Sequence, residues 1–275
     1  MDEKLIKVCA VQLKPKQCKT WSSFFNYLRD EVFSKIDRDL DLLVFPENIN
    51  LCLLFVKEND INSYSTRTIF EKLVDGFLSI LDLSFLLKIQ NIKFQKSVIV
   101  SVFQVFAKKY NVNIVTGSFY ELTNDGIYNT IYAINRSGEI LGSTVKKDLV
   151  GIEKAFRIKS KAENKVINFD FAKVGLCVCF DLNDKDYCAN FDCDILVAPS
   201  NGYRPIPNYP FDEKKETPQI EIAQDNNICV IRPYCAGWMF PLYFSGRTMI
   251  VDKIGNIFKT KSKNNTELLI SHIKI

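Results

Sequence analysis

The chain has 275 residues, of which 47% are hydrophobic and 25% charged, and a formal net charge of +4. This is the composition of a soluble globular protein with a substantial core. The mild charge, with lysines spread rather than gathered in a stripe, argues against a nucleic-acid partner, and the most apolar helix candidate, residues 73–89, is interrupted by Asp75 and Asp82, which argues against stable membrane insertion. Residues 5–13 alternate and predict a strand. Residues 21–36 bring Phe24, Phe25, Leu28, Val32 and Ile36 near one helical face. Residues 42–45 predict a short buried strand stopped by Pro46, with Glu47 at its exit. Residues 66–89 predict one or two helices, 98–110 another, and 112–117 a buried strand. Residues 128–135 and 139–146 predict a hairpin around Arg136-Ser137-Gly138, with Lys146 at its end. Residues 174–179 predict a buried strand that breaks at Phe180-Asp181, with Cys179 at its end. A strand over 195–198, a long proline-containing loop over 201–215, a helix over 218–226 and a strand over 228–232 follow. The hairpin 248–252/256–259 and a last strand, 267–273, close the chain.

Strands alternating with helices, with hairpins added, predict a mixed α/β (α+β) architecture carrying helices on its outer faces. There is no Gly/Ser linker, low-complexity tract or sequence repeat, so residues 1–275 are expected to form one domain. The acidic start Met1-Asp2-Glu3-Lys4 does not resemble a secretory signal. The nine cysteines are therefore expected to be reduced thiols in a cytoplasmic protein.

The only histidine is His272, near the C-terminus. A Ser-His-Asp or Cys-His mechanism would have to use it, and a terminal strand is a poor place for a catalytic base. No pair of ligand pairs has zinc-like spacing. A catalytic base must then be a carboxylate or a lysine. An acid (Glu47), an amine (Lys146) and a thiol (Cys179), each at a strand end, make a site for nucleophilic chemistry on a carbonyl or nitrile. Taken singly, each has a bland reading: a solvated glutamate, a charged strand exit, a core thiol. Lys147 stands beside Lys146, but alternation sends the two side chains to opposite faces, so only one enters a pocket. Asn201, Tyr203 and Arg204 follow the strand end at Pro199-Ser200 and are placed to line it, with Arg204 suited to a substrate carboxylate.

Phe45-Pro46-Glu47, Lys146-Lys147-Asp148-Leu149 and Gly175-Leu176-Cys177-Val178-Cys179-Phe180-Asp181 resemble, in order, three motifs of the nitrilase, or carbon-nitrogen hydrolase, superfamily. Tyr128-Asn129-Thr130, Ala198-Pro199-Ser200 and Gly246-Arg247-Thr248 with Val251-Asp252 and Gly255 add weaker matches, so the resemblance covers nearly the whole chain. Leu182-Asn183-Asp184-Lys185, Asp148 and Ile222-Ala223-Gln224-Asp225-Asn226 depart from the family's usual residues. The resemblance implies a four-layer α-β-β-α sandwich in a single domain, associating as a dimer or higher homo-oligomer. It also implies hydrolysis of a carbon-nitrogen bond in a small amide, with no metal and no organic cofactor. Cys179 would be the nucleophile and Glu47 the base and acid. Lys146 and the backbone N–H of Phe180 would hold the oxyanion, Glu153 would position the lysine or the water, and Asp181 would be a buried structural acid. The same resemblance leaves open an acyltransferase that passes the thioester to an amine or lipid, and a catalytically silent binding subunit. The apolar run 77–87 is expected to pack as a helix against the sheet or a partner subunit, in preference to forming an acyl-chain pocket or membrane-touching lid.

Overall fold

The structure, a computed structural model, describes residues 4–53, 92–204, 217–239 and 242–275. The expected helices over 66–89, the apolar run 77–87 and most of the loop 201–215 lie outside the described residues. The first sheet is built from β1 (Leu5–Gln12), β2 (Leu42–Val44), β3 (Asn113–Leu122), β4 (Ile127–Ile134), β5 (Ile140–Val145) and the last strand, β15 (Glu267–Lys274). Its order is β15-β1-β2-β3-β4-β5. The second contains β6 (Lys165–Asn168), β7 (Lys173–Leu176), β8 (Ile195–Val197), β10 (Cys229–Arg232), β13 (Met249–Val251) and β14 (Ile257–Lys259), in the order β6-β7-β8-β10-β13-β14. A small third sheet joins β9 (Tyr203–Arg204), β11 (Ala236–Met239) and β12 (Leu242–Ser245).

The two large sheets share one plan. Each has three parallel strands at its centre, β1-β2-β3 and β7-β8-β10. Each has one antiparallel strand on one side, β15 or β6, and two on the other, β4-β5 or β13-β14. Only a trace of this repeat survives in the sequence: Leu43-Val44-Phe45-Pro46 at the end of β2 and Leu196-Val197-Ala198-Pro199 at the end of β8.

Alternation within the strands makes the layers. Val8, Ala10, Leu42, Val44, Val115 and Ile131 of the first sheet meet Val174, Leu176, Ile195, Val197 and Ile231 of the second in one buried cluster. The opposite face of the first sheet, with Val11, Leu43, Phe45 and Ile114, packs on α1 (Trp21–Leu28) and α2 (Ile92–Tyr110) through Phe24, Leu28, Phe103 and Phe106. The opposite face of the second sheet, with Leu196, Val230 and Val251, packs on α4 (Lys185–Ala189) and α5 (Thr217–Asn226) through Cys188, Ile222 and Ala223. A short α3 (Gly151–Ala155) follows β5. The result is the expected α-β-β-α sandwich.

Four expectations need correction. The helix over 21–36 is α-helical only to Leu28; Arg29–Phe33 form a π turn, closed by Ser34 N–H donating to the Arg29 carbonyl at 2.8 Å. The strand over 112–117 continues to Leu122, because Gly117 marks a bulge rather than a stop: the β3–β4 register shifts between Val115 and Ser118. The strand over 174–179 ends at Leu176, and Cys179 opens a 3₁₀ turn, Cys179–Asn183. The loop from 201 begins with a two-residue strand, since Tyr203 and Arg204 pair with Phe244 and Tyr243. Among the described residues no helix is long and apolar enough to cross a membrane.

Gln12, fully buried at the end of β1, fastens the first sheet to the returning chain. Its Nε2 donates to the Ser262 and Asn265 carbonyls, and its Oε1 accepts from Arg247 N, Thr248 N and Thr260 Oγ1. An apolar replacement strands these groups in the interior. Gln12→Leu is expected to lower unfolding stability by about 3 kcal/mol in urea titration, with Gln12→Glu less damaging to the three donors.

Candidate active site

The site lies where β2, β5 and β7 end, as is usual for ligand sites in open sheets with parallel strands. Past β2 the chain is fixed on both sides. Phe45 N–H donates to the Val115 carbonyl at 3.0 Å, and Glu47 N–H to the Ser200 carbonyl at 3.3 Å. Gly117 makes this possible: at φ +72° a Cβ there would sit 2.1 Å from the Pro46 carbonyl oxygen. At the end of β5, Lys146 N–H donates to the Asn129 carbonyl at 2.8 Å. Lys146 is fully buried. Lys147 turns the other way, to Asp148 and Asp184, each at 2.7 Å.

Four buried side chains form a closed polar cluster. Lys146 Nζ lies 2.8 Å from Glu47 Oε1 and 2.9 Å from Glu153 Oε2. Asn129 Nδ2 donates to Glu47 Oε1 at 2.9 Å and to Glu153 Oε1 at 3.0 Å. Val150 N–H donates to Glu153 Oε2 at 3.0 Å. Both Glu153 oxygens and Oε1 of Glu47 are thus occupied, while Oε2 of Glu47 carries none of these bonds. An ammonium has three donors, and Lys146 spends two here. Burial works against its charge, but Glu47 and Glu153 outweigh burial and hold the ammonium well above its ordinary pKa.

Cys179 stands opposite, in the left-handed region at φ +50°, an uncommon conformation for a residue with a Cβ. The turn is tied by Asp181, a fully buried carboxylate that accepts from Val178 N–H at 2.9 Å, Asp148 N–H at 2.7 Å and Lys147 N–H at 3.2 Å. One side chain thereby joins the cysteine turn to the lysine strand exit. Burial raises its pKa to about 6, against the opposing pull of those N–H groups. The Cys179 thiol is pushed up to about 11, first by burial and then by the charge and hydrogen bonding of Glu47; Lys146 and Arg232 pull it down. The resting thiol is therefore neutral at physiological pH and has a carboxylate beside it.

Phe180 follows in the turn, and its side chain is 47% exposed. Asn201 begins where the Ser200 carbonyl meets Glu47, and its Oδ1 is buried with no hydrogen-bond partner among the described residues. Tyr203 is exposed on β9, and Arg204 occupies the next position, opposite Tyr243. The structure thus brings Glu47, Lys146, Glu153 and Cys179 together and sets Asn201 at their edge.

Two residues of the site carry no signal in the linear sequence. Arg232, at the end of β10, is buried; its Nε donates to Ser200 Oγ at 2.9 Å and its Nη2 to the Cys179 carbonyl at 3.5 Å. Tyr120, on β3, lies within electrostatic reach of Glu153, Glu47, Lys146 and Cys179. Among the described residues no group of three or more His, Cys, Asp or Glu side chains is placed to hold a metal ion.

The model of the carbon-nitrogen hydrolase family matches residues 7–275, and the chain belongs to that family. It is similar to a probable hydrolase, YhcX, of Bacillus subtilis, 25% identical over 177 residues that cover 64% of this chain; the chain spans only 30% of the length of that relative. Among solved structures it resembles a carbon-nitrogen hydrolase from Helicobacter pylori, with TM-score 0.73 and 20% identity over 98% of this chain and 89% of the other. It also resembles an amidase from Nesterenkonia sp., with TM-score 0.71 and 15% identity over 97% of this chain and 89% of the other.

The electrostatics give a signed expectation. Alkylation of Cys179 by iodoacetamide, followed by mass mapping, should accelerate with pH to a midpoint near 11. Glu47 raises the thiol pKa, so Glu47→Gln is expected to move the midpoint down; Arg232 lowers it, so Arg232→Met is expected to move it up.

Proposed function

We propose that the protein hydrolyses the carbon-nitrogen bond of a small amide through a Cys179 thioester. The observation that carries this reading is a neutral Cys179 thiol hydrogen-bonded to Glu47, whose Oε1 is held by Lys146 and Asn129 while both Glu153 oxygens are engaged by Lys146, Asn129 and Val150. Glu47 takes the thiol proton as sulfur attacks the amide carbon. The resulting oxyanion is held by the third N–H of Lys146 and the backbone N–H of Phe180. Glu47 then returns the proton to the nitrogen, the C–N bond breaks, and the amine leaves a thioester on Cys179. Water, deprotonated by Glu47, attacks the thioester and releases the acid and the thiol. Glu153, bonded to Lys146 and fully engaged itself, fixes the ammonium rather than taking part in proton transfer. Asn201, Tyr203 and Arg204 form the substrate side of the pocket.

An amide is favoured over a nitrile by the amidase among the structural neighbours. No metal or organic cofactor enters this scheme. All nine cysteines are free, which suits a reducing cytoplasm, and we take the working form to be a homo-oligomer.

Incubation with a panel of small amides, followed by intact-mass measurement, should reveal an acyl adduct mapped to Cys179. Cys179→Ala is expected to abolish both adduct and turnover, and Lys146→Met to lower kcat about a thousandfold. Turnover that survives Cys179→Ala would overturn the reading. In combination with the alkylation experiment, Glu47→Gln separates two roles: its thiol becomes more acidic, yet it should not turn over.

A further inference from the structure

We propose that Tyr120 contacts the substrate, its hydroxyl oxygen accepting one N–H of the scissile group, and that it thereby selects primary amides. This rests on the amide-hydrolysis reading above and assigns its specificity.

Register places the residue. Tyr120 on β3 is directly opposite Asn129 on β4. Residues directly opposite in an antiparallel pair project to the same face of the sheet. Asn129 uses that face to reach Glu47 and Glu153, so the Tyr120 ring enters the same cavity. It lies within electrostatic reach of Glu153, Glu47, Lys146 and Cys179. The phenol shares its face with the Asn129 amide that bonds both carboxylates, and in the proposed reaction Glu47 delivers the proton to the departing amine. Burial and the two carboxylates disfavour the phenolate, so the group remains a neutral hydroxyl with lone pairs available.

The hydrogen-bond inventory of the described residues leaves that hydroxyl to a ligand. Glu153 accepts on both oxygens, and Glu47 Oε1 is taken twice, by Lys146 and Asn129. The Tyr120 side chain makes no hydrogen bond among the described residues, although it is half-buried beside four polar groups. A primary amide brings two N–H donors. The acceptors on this side of the cavity are Glu47, which faces the thiol, and the Tyr120 oxygen, which carries no hydrogen bond among the described residues. An N-alkylated amide has one donor fewer and leaves the phenol facing carbon.

The test compares kcat/KM for a primary amide and its N-methyl analogue, in wild type and in Tyr120→Phe. The expected result is a loss of about tenfold on the primary amide with little change on the N-methyl analogue, so that their ratio contracts about tenfold. An unchanged ratio, or an equal loss on both substrates, overturns the inference. Thermal melting and the rate of Cys179 modification by methyl methanethiosulfonate, which is not an amide, should match wild type. If Tyr120→Phe melts early, Tyr120→Met is held to the same comparison. Wild type that turns over no amide overturns the amide reading itself, and this inference with it, whereas active wild type with an unaltered ratio overturns the role of Tyr120 alone.

Discussion

The arrangement depends on one buried ammonium shared between two carboxylates. Removing a lysine from water is unfavourable, and Lys146 remains charged only because Glu47 and Glu153 lie within 3 Å of it. Each carboxylate needs the lysine in turn. Asn129 ties the two acids to each other, so the four side chains settle into one geometry. Breaking a cluster of this kind by removing one member leaves an uncompensated buried charge and costs several kcal/mol, about 3–5 for a simple pair. Such a cost also discourages alternative rotamers, and it fixes the direction in which the remaining Glu47 oxygen points.

The backbone is shaped around this cluster. The bulge at Gly117 lets β3 close over Pro46 and still continue to Tyr120, which an unbroken strand would not do. Asp181 links the turn bearing Cys179 to the segment after Lys146 through backbone N–H groups on both. A left-handed cysteine costs conformational energy, and that cost is offset locally by these bonds and by the Arg232 contact to the Cys179 carbonyl.

Much of this was legible in the sequence because it is written at strand ends. Pro46 marks where β2 stops, the break at Phe180-Asp181 falls within the turn that follows β7, and a polar residue at the close of each apolar run is a visible anomaly. Alternation gave the strands and the outer helices, and the four-layer sandwich was legible only through the family resemblance that the motif order carries. What escaped has physical reasons. Gly117 reads as punctuation, and only tertiary contact shows that it is a bulge. Tyr120 and Asn129 are neighbours through cross-strand register, and a strand read as ending at Gly117 leaves Tyr120 outside any pairing. Arg232 follows an apolar run and looks like an ordinary charged strand exit until the second sheet docks. The doubling of the sheet plan is nearly invisible because its two halves share topology and one four-residue strand end, little more.

That doubling divides the labour. Glu47, Tyr120, Asn129 and Lys146 come from the first sheet and the segments beside it, and Cys179 and Arg232 from the second. In the proposed reaction, proton handling falls to one half and nucleophilicity to the other. A state in which both sheets persist but the apolar seam between them has loosened would keep its secondary structure while parting Cys179 from Glu47 and Lys146, and its thiol, relieved of burial and of the carboxylate, would titrate closer to an ordinary cysteine.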